Sequence, residues 1–392
     1  MGTIFSDRMS DVPRSFIREI LKVAVDESII SFAGGLPNRN LFPVEEMKAA
    51  TNRLFDECGK DVLQYSSSEG DRELRQWIAD RYKEKKGLTI HPDHILITTG
   101  SQQGLDLLGK TFLNEGDDVA IEEPGYLGAI QAFSIYKSTF HPVPVDENGI
   151  DLAALQQALN GSRIKLFYCV PNFQNPSGIS YSEENRRSVA RLFEGKQTML
   201  VEDDPYGELR FRGAERPSFY ELMPRSTVLL GSFSKIVAPS FRIGWIVAGD
   251  EVMEKLIIAK QASDLHTNYF GQRAILRYLK DNDIDAHIEL ISKAYGRQRD
   301  AMVSAMQDYF PAGVTYTKPE GGMFLWGALP EALSAMEVFK RAIEHKVAFV
   351  PGDPFYVNRK DVNTLRLNYS SVDEETIVTG IKRLAEVLKT LI

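Results

Sequence analysis

Residues 231–245 read GSFSKIVAPSFRIGW and lie between two short apolar runs, Thr227-Val228-Leu229-Leu230 before and residues 243–248 after. The pattern predicts a strand, a turn rich in small hydroxyl residues and a second strand, with Lys235 at the end of the first. Around that amine stand Ser232, Ser234 and, seven residues on, Arg242. A lysine in a partly desolvated pocket beside another cation has its pKa lowered, and its free amine can form a Schiff base with a carbonyl. Serine hydroxyls and a bidentate guanidinium hold a phosphate dianion. The set suits an aldehyde that carries a phosphate. A lone lysine is most often a solvated surface residue, so this reading depends on partners elsewhere in the chain.

Those partners are sought at the ends of other strands. Apolar runs at 95–98, 119–121, 139–143, 164–170, 198–201, 227–230 and 243–248 alternate with helical patterns or long crossovers. Seven such runs predict an α/β fold built on one mostly parallel sheet with helices on both faces. In such sheets ligands sit beyond the carboxyl ends of the strands. After the first run comes Thr99-Gly100-Ser101-Gln102, opening a helix, where backbone amides and hydroxyls make an anion site. After the second, Glu122-Glu123-Pro124-Gly125-Tyr126 presents a ring able to stack on a flat cofactor. The fourth is followed by PNFQNPSG at 171–178, in which Asn175 can donate to a phenolate-type oxygen. The fifth leads into Val201-Glu202-Asp203-Asp204-Pro205-Tyr206. A buried carboxylate there needs a cation, and an aromatic nitrogen that must stay protonated provides one.

Taken together, PNFQNPSG, VEDDPY and SFSKIVAPSFRIGW resemble the fold-type-I pyridoxal 5′-phosphate aminotransferases of classes I and II over nearly the whole chain. The resemblance implies that Lys235 carries the cofactor as a Schiff base, that Asp203 pairs with the pyridinium nitrogen, and that Asn175 and Tyr206 hydrogen-bond the ring's phenolic oxygen. It implies that Tyr126 stacks on the ring while Ser101, Gln102, Ser232, Ser234 and Arg242 hold the phosphate. Tyr65, in the polar loop 64–70, looks like the tyrosine that reaches the phosphate from a partner subunit, so a homodimer is expected. In Thr364-Leu365-Arg366-Leu367-Asn368-Tyr369 the family's substrate α-carboxylate clamp corresponds to Arg366. The implied reaction is transfer of an amino group from an L-amino acid to a 2-oxo acid, 2-oxoglutarate in the first instance, by a ping-pong mechanism.

The opening helical pattern, 14–25, followed by Ser31-Phe32-Ala33-Gly34-Gly35-Leu36-Pro37-Asn38, looks like the 2-aminoadipate and kynurenine branch of that family. There the N-terminal segment folds over the substrate. Gly35 would then lie against the substrate, and Arg18 occupies the position from which an arginine meets a distal carboxylate. A surface ion pair for Arg18 and a pocket for aromatic or branched side chains both remain open. So does a lyase reaction such as β-elimination, which uses the same residues up to loss of the Cα proton. A cofactor-binding regulatory module is weighed against by the early start of the pattern, within the first 20 to 30 residues, where a DNA-binding domain would be expected.

Composition agrees with this class. The chain has 392 residues, a net charge of −8 and scattered basic residues, which argues against a protein held to nucleic acid by phosphate contacts. Neither a signal-peptide core nor an apolar run near the ~18 residues of a membrane span is visible, so a cytoplasmic enzyme is expected. Cys58 and Cys169 form no metal or disulfide pattern. His91-Pro92-Asp93-His94 lacks a third ligand, and residues 281–285, DNDID, lack the later ligands of a calcium loop, so no metal site is expected. The expected division is an N-terminal arm that belongs partly to a small domain (1–43), a large cofactor-binding domain (44–285) and a small α+β domain (286–392).

Overall fold

The structure, a computed structural model, describes residues 4–9, 26 and 28–392. The expected helix at 14–25 and Arg18 lie outside the described residues. In chain order the strands are β1 (Ile30–Ser31), β2 (Ile95–Thr98), β3 (Asp118–Glu123), β4 (Thr139–Asp146), β5 (Gly149–Ile150), β6 (Ile164–Cys169), β7 (Met199–Asp203), β8 (Thr227–Ser232) and β9 (Gly244–Val247). They continue with β10 (Thr315–Tyr316), β11 (Phe324–Ala328), β12 (Val347–Ala348), β13 (Val350–Pro351) and β14 (Thr364–Asn368).

The main sheet has the order β2-β9-β8-β7-β6-β3-β4-β5. Strands β8, β7, β6, β3 and β4 are mutually parallel, whereas β9 is antiparallel to both β2 and β8. Two reversals cancel, so β2 ends at the same edge as the parallel strands and β9 begins there. That direction places Arg242, just before β9, beside the residues that follow β2 and β8. The sheet has eight strands where seven were expected. The eighth, β5, pairs antiparallel with the end of β4 through two residues, too few to carry a period-two signal.

Side chains alternate between the two faces of a strand, and here both faces are buried. Val119, Ile121, Leu166, Tyr168 and Val201 join one apolar cluster with Leu105 and Leu108 of the helix Ser101–Phe112. Ala120, Phe167, Cys169 and Leu200 join another with Leu155 of Leu152–Gly161 and Val189 of Glu183–Leu192. The same alternation separates consecutive acids. Glu202 turns to the second face, where it accepts from the Tyr220 amide at 2.9 Å. Asp203 turns to the first, and Asp204 accepts from Asn172 Nδ2 at 2.9 Å.

A smaller sheet, β10-β11-β14-β13, is antiparallel, and β1 pairs with β12. The N-terminal segment is thereby bound to C-terminal elements. Phe32 N donates to Ala348 O and Asn368 N to Phe32 O, both at 2.8 Å. The long helix Ile284–Tyr309 packs on the closing helix Glu374–Leu391. Asp283 caps the former by accepting from the amides of Asp285 and Ala286, which explains part of the acidic run at 281–285. His94 pairs with Asp250 at 2.8 Å and His91 caps the 3-10 turn Pro92–His94. Among the described residues no helix is long and apolar enough to cross a membrane.

The loop 171–178 is held from beneath by Arg186, which has no exposed surface. Its guanidinium donates to the carbonyls of Tyr181 (3.2 Å), Pro217 (3.0 Å) and Pro171 (2.7 Å) and to Asn172 Oδ1 (2.7 Å). Removing it strands these acceptors and takes away the positive charge that favours the ionised form of Glu202. Arg186→Met is expected to lower stability by about 3 kcal/mol, measured as a lower urea midpoint at unchanged slope.

Candidate active site

At the common edge of the main sheet lies a cavity of about 380 Å³. It is lined by Gly35, Ser101, Gln102, Tyr126, Asn175, Asp203, Tyr206, Ser232, Ser234, Lys235, Arg242 and Arg366, together with Val170, Pro205 and Phe324. Thus all the candidate residues except Tyr65 and Arg18 meet in one place. Tyr65 is 79 % exposed, with its ring 5.7 Å from that of His266, and lines no part of this cavity.

Each element supplies its residue for a local reason. Strand β8 ends at Ser232, so Lys235 sits three residues beyond it, in the following turn, rather than at the strand end itself. Its half-buried Nζ donates to Gly35 O at 3.0 Å. Burial, reinforced by the charges of Arg242 and Arg366, lowers its pKa to about 8. Ser232 Oγ accepts from Ser234 N at 3.1 Å, which fixes the turn. In the turn after β2, Gly100 has φ of 72°, and a Cβ there would collide with the Arg242 guanidinium. Only glycine lets the start of the helix Ser101–Phe112 and Arg242 approach so closely. Gln102 is oriented by donating to Gly128 O at 2.9 Å.

Asp203 is the last residue of β7 and is buried. Its Oδ2 accepts from the Tyr168 hydroxyl at 2.8 Å, while Oδ1 has no hydrogen-bond partner among the described residues. Burial pushes its carboxyl up to about 7, and Tyr168 only partly offsets this. A cation at Oδ1 would hold the group ionised. Arg366, on β14, presents the complementary case. Its Nη1 donates to Asn175 Oδ1 and its Nη2 to Ala33 O, both at 2.8 Å, and Nε is buried without a partner. The rings of Phe324 and Phe355 lie 4.3 and 5.2 Å from the guanidinium carbon. Burial lowers its pKa to about 10. No carboxylate among the described residues pairs with it, so a carboxylate ligand is what its position lacks.

The cavity therefore sets three cations, Lys235, Arg242 and Arg366, against the single carboxylate of Asp203. That excess suits anionic ligands, and Arg366, with no carboxylate paired to it among the described residues, is free to take a carboxylate. The orphaned Asp203 oxygen, the close approach at Gly100 and the hydroxyl-rich cradle together fit pyridoxal 5′-phosphate. Sequence reasoning missed Tyr168, although a tyrosine inside an apolar strand needs a polar partner and could have been flagged. It also missed Phe324 and Phe355, which carry no local signal.

A family model described as aminotransferase class I and II matches residues 29–384. The chain belongs to that family. It is 41 % identical over 391 residues to the aromatic-amino-acid aminotransferase 1 of Thermococcus litoralis, covering 98 % of this chain and 94 % of that protein. It is 42 % identical over 385 residues to the 2-aminoadipate transaminase of Thermus thermophilus, covering 97 % and 95 %. A solved structure of the kynurenine aminotransferase of Pyrococcus horikoshii, complexed with PMP, superposes with a TM-score of 0.95 at 41 % identity, covering 99 % of this chain and 98 % of that one.

For this aminotransferase the lowered pKa of Lys235 sets a pH dependence. Below about 8 the amine is protonated and cannot attack a carbonyl; above it, the free amine prevails. Capture of pyridoxal 5′-phosphate by the cofactor-free protein should rise about tenfold per pH unit up to that point and then level off. Arg366→Met removes a neighbouring positive charge, so the midpoint of the rate profile should move to higher pH.

Proposed function

We propose that this aminotransferase, with pyridoxal 5′-phosphate as cofactor, moves the amino group of an L-amino acid to a 2-oxo acid. The acceptor is 2-oxoglutarate, the mechanism is ping-pong, and the donors are 2-aminoadipate, aromatic or branched amino acids. The observation that carries the reading is a buried Arg366, without a carboxylate partner among the described residues, facing the same cavity as an amine of lowered pKa. The similar proteins are named for aromatic amino acids, 2-aminoadipate and kynurenine, which supports the donor range.

In this reading Ser101, Gln102, Ser232, Ser234 and Arg242 would hold the phosphate, Tyr126 the ring face, Asn175 and Tyr206 the phenolic oxygen, and Asp203 the ring nitrogen. When bound, the cofactor supplies an aldehyde that takes up and returns the amino group, and a ring that accepts the electron pair left as the Cα proton departs. Arg366 binds the substrate α-carboxylate through a guanidinium already oriented by Asn175 and Ala33 O. That clamp turns the Cα–H bond toward Lys235. Lys235 Nζ, when it is a free amine, would take the proton from Cα as general base and later give it up as general acid. Gly35 O, which accepts from Nζ at 3.0 Å, limits where the amine can swing. Asp203, steadied by Tyr168, keeps a negative charge opposite the ring nitrogen. Phe324 and Phe355 exclude water from the clamp.

Two structural readings go with this one. Residues 44–285 form the cofactor-binding unit and 286–392 the smaller unit that brings Arg366, to which the N-terminal arm (1–43) belongs in part, a division supported by the pairing of β1 with β12. The exposed Tyr65 completes the phosphate site of a second copy, and sedimentation should show a dimer of the 44.1 kDa chain at micromolar concentration. A fully active monomer would remove Tyr65 from that role.

The deciding experiment is a half-reaction screen, in which the holoenzyme meets one L-amino acid at a time and conversion of the aldehyde to the aminated cofactor is followed by absorbance. Rapid conversion with 2-aminoadipate, weakened by Arg18→Ala, supports a dicarboxylate donor. Conversion with aromatic or branched donors that ignores Arg18 supports a broad range. Lys235→Ala should abolish conversion, and Arg366→Met should lower kcat/KM by about two to three orders of magnitude, as loss of a buried charge-assisted clamp costs roughly 3–4 kcal/mol. Release of pyruvate from a substrate with a good β-leaving group, without amination of the cofactor, would replace transamination by a lyase reaction.

A further inference from the structure

Behind the turn that carries Ser101 and Gln102 lies a polar cluster that the chemistry above does not use. Lys260, in the last turn of the helix Asp250–Gln261, has no exposed surface. Its Nζ donates to Gln103 Oε1 at 3.1 Å, Thr267 Oγ1 at 3.0 Å and Asp264 Oδ1 at 2.5 Å, so all three of its protons are used. The other oxygen of Asp264 accepts from Gln103 Nε2 at 2.8 Å and from Thr99 Oγ1 at 3.1 Å. Gln103 Oε1 also accepts from Thr99 N at 2.8 Å, and the hydroxyls of Thr99 and Thr267 lie 3.2 Å apart.

Each of these contacts bears on Thr99, the residue immediately before Gly100 and Ser101. The far side of the same turn is equally constrained. Arg242 occupies the place of a Cβ at Gly100, and a Cβ on Gly244 would come within 2.9 Å of Gly100 C and Ser101 N. The turn is gripped between Arg242 and strand β9 on one side and the Lys260 cluster on the other. Burying an ammonium costs several kcal/mol before its partners compensate. A methionine or leucine would fill the end of a helix at far lower cost if packing were the only duty. Lys260 and Asp264 cancel each other's charge, so the cluster adds little net field at the cavity and acts through geometry. Although burial works to raise the Asp264 carboxyl, hydrogen bonds from Lys260, Gln103 and Thr99 hold it below the usual range.

We propose that Lys260 is a positioning residue for the cofactor's phosphate, fixing Thr99 through Asp264 and Gln103 and thereby the Gly100-Ser101 backbone on which the phosphate rests. This rests on the reading of Ser101 as part of the phosphate cradle. A loosened turn should weaken only ligands that bear the phosphate.

The test uses the holoenzyme. Cofactor release is timed after dilution into an excess of scavenger, and the ³¹P resonance of the bound phosphate is recorded for the unsubstituted protein, Lys260→Met and Asp264→Asn. Lys260→Met, matched in length, should release cofactor about tenfold faster, the scale on which groups supporting a first layer of ligands act, and should shift the ³¹P resonance. Asp264→Asn should do the same to a smaller extent and serves alone if Lys260→Met does not fold. Affinity for pyridoxal, which lacks the phosphate, should stay within about twofold in both variants, since the turn contacts only the phosphate. Unchanged release and resonance, or equal losses for pyridoxal and its phosphate, would assign Lys260 to general stability and overturn the proposal. An unsubstituted protein that itself binds both forms equally would overturn the cradle reading, and a difference between variants is then not expected.

Discussion

The arrangement at the active site depends on the pleat of β6 and β7. Tyr168 and Asp203 belong to adjacent strands, with Tyr168 in register with Val201, so Asp203 lies two residues further toward the cavity on the same face. That offset lets the Tyr168 hydroxyl reach Oδ2 while Oδ1 stays free. A shift of one residue in β7 would turn Glu202 or Asp204 inward instead, and a shift of one in β6 would turn Tyr168 to the other face; either change separates the Asp203 carboxylate from its donor. Of the three acids in the run Glu202-Asp203-Asp204, Asp203 is the one that lines the cavity.

Strand direction is the second constraint. Residues from five strand ends converge because β2 shares the direction of the parallel strands through the intervening antiparallel β9. The same reversal delivers Arg242 at the start of β9, where it meets Gly100 and lies near Ser232. A wholly parallel sheet would have needed a crossover to bring an arginine there. The positive φ of Arg242, 55°, is the local cost of turning from the 3-10 turn Pro239–Phe241 into β9, and its side chain lines the cavity.

The residues that could be read from the chain were those whose chemistry is unusual for their setting. Lys235, Asp203 and Arg366 are charges within or beside apolar strands, and burying a charge has few explanations other than a ligand or a pair. Their roles, however, came from a resemblance in motif order, since no spacing rule assigns a particular arginine to a phosphate or a carboxylate. Helix bounds were legible where caps are explicit: Asp71 and Gly87 bracket Arg72–Lys86 as their residue types suggest. What stayed hidden depends on distance in sequence. Phe324, Phe355 and Ala33 O surround Arg366 from three remote segments, and β5 is too short to show a period. Lys260 reads as an ordinary exposed lysine at the end of a helix, because the partners of its ammonium, Gln103, Asp264 and Thr267, all lie outside that helix.

The N-terminal segment is bound to the chemistry more closely than its position in the chain suggests. Ala33 O and Gly35 O accept from Arg366 and Lys235, the two side chains read as carrying substrate and proton. Leu36 O accepts from Ser370 Oγ at 3.0 Å, and Asn38 N donates to the Tyr295 hydroxyl at 3.0 Å. A Cβ on Gly35 would meet the Phe324 ring at 3.3 Å, so the backbone approaches as closely as the cavity permits. Backbone carbonyls that orient these two side chains would act on every substrate alike, whatever its side chain. Discrimination among donors must then come from groups that touch the side chain and not the α-carbon.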